Sequence, residues 1–164
     1  MRIRSLVSGL AVAALVLSQS VSTLAAPKVQ TSLTLVDAGV FNFQSQTSAL
    51  LVGDGFEKQG FGLNRKGGSS GQFDVTPGAD RCANGFTGQL VGSFVESTGE
   101  RFDYTISNQL CPTEQPGVYS ASGTYKITGG TGKYATAKGG GLFEGLADFV
   151  EAKYKCLLFG TISY

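Results

Sequence analysis

The segment Arg101-Phe102-Asp103-Tyr104-Thr105-Ile106-Ser107 places an apolar residue at every second position. Successive side chains of a strand point to opposite faces, so this pattern turns Phe102, Tyr104 and Ile106 inward and leaves the other face wet. The same period governs the C-terminus. From Asp148 to Tyr164, Val150, Ala152, Tyr154, Cys156, Leu158 and Ile162 share one face, with Glu151, Lys153 and Lys155 opposite. Leu157 and Phe159 interrupt the polar face, which predicts cover on both sides of that half. Shorter strands read over 29–36, 39–44, 49–56, 71–76, 86–96, 119–128 and 139–144. Turn residues separate them at Asp37-Ala38-Gly39, Gly53-Asp54-Gly55, Lys66-Gly67-Gly68, Thr76-Pro77-Gly78, Ser97-Thr98-Gly99 and Gln115-Pro116-Gly117. No stretch keeps a 3.6-residue period over three turns. Eight or nine strands at this spacing make a sandwich or a barrel. Closure removes exposed edges, so the expected fold is all-β, an antiparallel eight-stranded barrel.

The first residues are not part of that pattern. Arg2 and Arg4 precede an apolar run from Leu6 to Leu17, and Ser18–Ala26 ends in small residues. This is the layout of a secretory signal, with an apolar run shorter than the ~20 residues a membrane span needs. Cleavage after Ala25 or Ala26 fits. Residues 1–26 are therefore expected to be a cleaved signal peptide and 27–164 a single barrel domain, secreted or periplasmic. Removing Arg2 and Arg4 takes the formal charge from +1 to −1. Without a basic run, no nucleic-acid partner and no membrane insertion after cleavage are expected.

The chain has no histidine and no tryptophan. Nucleophile–histidine systems are excluded as normally built, and three scattered cysteines cannot close a zinc site. No metal and no cofactor are expected. The Gly130-Thr131-Gly132-Lys133-Tyr134-Ala135 run matches a dinucleotide fingerprint. However, Gly139-Gly140-Gly141 stops any helix after about two turns, and no βαβ unit follows. The structural reading is a turn at Gly129, Gly130 and Gly132, glycines that can take φ > 0 without a Cβ penalty, with at least one expected to do so. Ala135 and Ala137 are then small enough for close approach to the barrel end, and Tyr134 can pack there.

Cysteine pairing follows from the strands. Segments 86–96 and 101–107 are joined by a short turn and should form a hairpin, with Cys82 and Cys111 at its open end. A Cys82–Cys111 disulfide is expected, leaving Cys156 free on the inward face.

The strand, then Gly129-Gly130-Thr131-Gly132-Lys133-Tyr134-Ala135-x-Ala137, then a glycine-bearing strand resembles the allene oxide cyclase-like and dirigent-like barrels. Leu158-Phe159-Gly160-Thr161-Ile162 is similar to the closing strand of their secreted bacterial members. The resemblance covers Gly123 to Ile162 and implies an eight-stranded calycin-like barrel whose cavity accepts apolar small molecules. Plant members cyclise an unsaturated epoxide without a cofactor or steer phenoxy-radical coupling. It carries over no catalytic residue.

Three functions follow. The first is a binding barrel for a neutral or weakly anionic apolar compound, lined by Phe102, Tyr104, Ile106, Val150, Tyr154, Cys156 and Leu158. The second is a cofactor-free isomerase, cyclase or dirigent-type protein, which needs an acid or base at the cavity. Glu96 and Asp148 share faces with apolar residues, but both are expected to be solvated at strand ends. The third is an interaction or structural protein whose interior is filled by its own side chains.

Overall fold

Long strands that keep one inward face throughout build a wall that closes on itself. The computed structural model describes residues 28–164, so the expected signal peptide lies outside the described residues. The strands are β1 (Gln30–Phe43), β2 (Ser48–Gln59), β3 (Arg65–Ala79), β4 (Cys82–Glu96), β5 (Arg101–Pro112), β6 (Val118–Gly130), β7 (Lys138–Asp148) and β8 (Lys153–Ser163). They form a closed antiparallel barrel in sequence order, with β1 paired to β8. A single 3-10 turn, Gly132–Tyr134, joins β6 to β7. Among the described residues, no helix is long and apolar enough to cross a membrane.

The Ser97-Thr98-Gly99 and Gln115-Pro116-Gly117 turns lie where the sequence predicts them. Four others do not. Asp37-Ala38-Gly39, Gly53-Asp54-Gly55 and Lys66-Gly67-Gly68 lie inside β1, β2 and β3, and Thr76-Pro77-Gly78 lies near the end of β3, where the register shifts. The two segments expected over 29–36 and 39–44 are thus one strand. Gly39, Gly53, Gly55 and Gly67 serve close approach rather than chain reversal, whereas Gly78 takes φ +102° with open space around it. Gly39 opposes Gly53, and a Cβ on Gly39 would stand 2.1 Å from the Val52 carbonyl oxygen. Curved walls need such positions.

The interior has two halves. Toward the end that carries the β2–β3, β4–β5 and β6–β7 connections, Leu33, Phe94, Phe102, Ile127, Tyr134 and Ile162 are fully buried and fill the barrel. Phe102 meets Phe94 at 5.5 Å and Tyr134 at 5.4 Å between ring centroids. The opposite end is a mouth ringed by Phe41, Phe43, Phe86, Tyr119 and Phe149. Cys82 and Cys111 are disulfide-bonded on the β4–β5 hairpin at the mouth, and Cys156 is free.

At the filled end Gly129 and Gly132 adopt φ of +150° and +56°, while Tyr134 and Ala137 are wholly buried; Ala135, expected to approach the barrel end as well, is exposed on the outside of the turn. The glycine-rich segment therefore acts as a strap across the barrel base. One expected inward residue is misplaced. Val150 is 77% exposed, because β8 begins only at Lys153 and Val150 sits in the turn before it. Asp148 caps that turn, its Oδ1 accepting the backbone N–H groups of Val150 and Glu151 at 2.9 Å.

Candidate functional site

The period-two pattern of β1 runs Leu33, Leu35, Asp37 on the inward face, so a carboxylate is carried into the middle of the barrel. Asp37 is only 3% exposed. Ser69 of β3 donates to its Oδ2 at 2.6 Å, and the Tyr154 hydroxyl of β8 donates to the same oxygen at 3.0 Å. The Ser69 and Tyr154 oxygens are themselves 3.1 Å apart. Glycines on the inward face of neighbouring strands make room for these groups. A Cβ on Gly53 would come within 2.4 Å of the Tyr154 hydroxyl, and one on Gly88 within 2.1 Å of Asn108 Oδ1.

This cluster borders a cavity of about 40 Å³. Most of the rest of its wall is apolar, including Phe41, Leu51, Phe73, Leu90 and Phe143. Of the residues expected to line a cavity, Tyr104, Ile106, Tyr154 and Cys156 do so. Phe102 and Leu158 are buried at 0% and 1% exposure but stand outside the lining. The cavity is much smaller than the few hundred Å³ of an ordinary ligand pocket and has room for only a few waters. At the mouth, a depression of about 290 Å³ is walled by Phe43, Ala49, Phe73, Val75, Phe86 and Phe149. Phe73 borders both spaces.

Two acceptors on the cavity wall, Asp37 Oδ1 and Asn108 Oδ1, are buried with no hydrogen-bond partner. A buried unpaired acceptor costs about 1–3 kcal/mol, so both favour a guest that donates hydrogen bonds. Burial is the main force on Asp37, raising its carboxyl pKa, while the Ser69 and Tyr154 hydrogen bonds oppose it. The Tyr154 phenol is also raised, first by burial. Burial, then the Asp37 charge, push the Cys156 thiol up, which favours its protonated form.

A second polar cluster occupies the filled end. Glu96 is 2% exposed rather than solvated, because β4 keeps its inward face to its last residue. It faces Glu57 of β2, which is fully buried. The Tyr134 hydroxyl donates to Glu96 and lies 3.3 Å from both Glu57 oxygens. Lys133 reaches Glu96 at 2.9 Å and Arg65 reaches it at 3.2 Å. Burial, reinforced by Glu96, pushes the Glu57 carboxyl up to about 7. Burial resists ionisation of Glu96 too, but Lys133 and Tyr134 outweigh it and hold that carboxyl below its usual range. Below about pH 7 these opposite shifts favour a proton on Glu57 beside an ionised Glu96. The pair lines neither the cavity nor the mouth depression and sits at the closed base of the barrel.

The sequence reading overlooked Asp37, Asn108 and Glu57. Parity along unbroken strands turns Asp37 and Glu57 inward, but the internal glycines of β1 and β2 have turn chemistry, which hides the count. No group of metal-holding residues occurs among the described residues. Fold and site together define a closed eight-stranded antiparallel barrel with a small, mostly apolar cavity, edged by a few polar groups, beneath an aromatic mouth. No family model matches the sequence, and no curated protein matches it either.

Proposed function

We propose that this barrel binds an apolar small molecule that carries a hydrogen-bond donor, such as a phenol or a terpenoid alcohol. The apolar body would occupy the aromatic mouth, with its hydroxyl directed past Phe73 toward Asp37 and Asn108. The observation that carries this reading is the pair of buried, unpartnered acceptors on a mostly apolar wall. Their demand for a donor is not met by the protein. Burying the ligand body at about 25 cal/mol per Å² supplies the affinity, less the cost of ordering it. The resemblance to allene oxide cyclase-like barrels supports membership in that superfamily. The leader-like N-terminus and the disulfide support export to an oxidising compartment.

A thermal-shift screen tests the reading. Phenolics and terpenoid alcohols should raise the melting temperature where sugars and nucleotides do not, and Asp37→Ala should abolish that rise. Stabilisation by the polar set alone overturns it.

A second reading, a cofactor-free isomerase or cyclase, is favoured by the Asp37–Tyr154 contact, which joins a weakened acid to a phenol at the cavity. Conversion of an unsaturated epoxide, lost in both Asp37→Asn and Tyr154→Phe, would establish it. The filled-core interaction protein draws support from the solid lower half around Phe94, Phe102 and Tyr134.

A further inference from the structure

We propose that the filled end of the barrel docks on an anionic lipid surface, with Phe61 and Leu63 entering the boundary between headgroups and acyl chains. The β2–β3 connection, residues 60–64, projects from that end. Phe61 is 109% exposed and Leu63 is 90% exposed, the two barest large apolar side chains among the described residues. Their backbone is fixed where it leaves the wall. Gly60 donates to the Ser32 carbonyl at 2.9 Å with φ +54°, and Gly62 donates to the Gln59 carbonyl at 2.9 Å. A tight loop that holds two large apolar groups in water gains nothing for folding. It gains on contact with a less polar phase.

The charge around the loop selects the partner. Lys28, Lys58, Arg65, Lys66, Lys133 and Lys138 gather at this end from separate parts of the chain. Of these, Lys28, Lys58, Lys66 and Lys138 have no carboxylate within salt-bridge distance among the described residues. The acids of this end are internally committed: Glu57 is sealed inside, Glu96 and Glu100 hold Lys133, and Asp103 holds Arg101. The turns at the mouth instead carry Asp80, Glu114, Asp148 and Glu151 against Arg81 and the Glu151-bound Lys153, an acidic excess. The molecule is thus polarised along its axis, basic where Phe61 projects and acidic at the mouth. An anionic surface would draw the basic end down and leave the mouth facing solution. A linear scan finds no basic run, because closure of the barrel is what assembles these lysines.

The chain has no tryptophan, so Phe61→Trp gives a sole indole reporter at the tip. Its emission should shift to the blue with vesicles of phosphatidylglycerol and phosphatidylcholine, and stay unshifted with phosphatidylcholine alone. In co-sedimentation, Phe61→Ser with Leu63→Ser should weaken binding to the phosphatidylglycerol vesicles at least about tenfold. Lys66→Gln should weaken it about fivefold, and raised salt should act the same way. The serine variant should keep its melting temperature, since both side chains stand in water. An unshifted emission with phosphatidylglycerol vesicles, equal binding to neutral vesicles, or full binding by the serine variant overturns the proposal. Binding to heparin that the serine variant leaves unchanged, without binding to vesicles, overturns it in favour of a soluble polyanion.

Discussion

Glu57 shows how one buried side chain sets a pH response. Its carboxyl is fully buried and is raised to about 7, first by burial and then by its neighbour Glu96. A carboxyl raised in the folded state binds its proton more tightly there than in the unfolded chain. The folded state is therefore favoured below about pH 4.5, the ordinary glutamate value, and loses that advantage as pH climbs to about 7. The loss is on the order of 2 kcal/mol after allowing for solvent screening. Glu57→Gln, which imitates the protonated form, should flatten urea stability between pH 5 and 8 and leave the variant more stable than the parent at pH 8. An unchanged slope would show that other groups set the response. Glu96 has the opposite sign: its lowered carboxyl contributes stability above the ordinary glutamate value that is lost in stronger acid.

At the scale of elements, the glycine strap and the β4–β5 hairpin were both legible in the sequence, since each rests on local chemistry. Gly132 has φ +56°, and a Cβ there would stand 3.0 Å from Glu100 Oε1. Valine in this left-handed conformation should cost roughly 1–2 kcal/mol or more. Gly132→Val should lower the melting temperature while the folded protein binds ligand as before, because the strap closes the end opposite the mouth. If stability held and binding vanished, the strap would be part of the binding site. The hairpin brings Cys82 to Cys111 across a sequence separation of 29 residues. Such a loop restrains the unfolded chain by about 3–4 kcal/mol. Reduction, or Cys82→Ala with Cys111→Ala, should remove about that much stability by urea titration. What was not legible was strand length. Gly53-Asp54-Gly55 has the residues of a turn, yet it runs through the middle of β2 because its missing side chains admit Tyr154 and Asp37. Local composition is the same in both cases. Only the neighbouring strands distinguish them.

Over the whole molecule, closure couples the ends of the chain. β1 and β8 are hydrogen-bonded from Gln30↔Ser163 to Val40↔Lys153, so the first and last strands complete each other. Their amides should exchange with solvent only through global unfolding, at the free energy found by urea titration. Faster exchange along this seam than in β4–β5 would mean that the barrel opens there first. Period-two burial in β5 and β8, the antiparallel all-β class, the disulfide pair and the strap came from the sequence alone. Each depends on residues close along the chain or on a repeating side-chain direction. The cavity's small volume, the meeting of Asp37, Ser69 and Tyr154, the Glu57–Glu96 pair and the lysine-rich base were decided only by the tertiary structure. Those groups lie on different strands, and nothing in a linear sequence states how tightly a closed wall will pull them together.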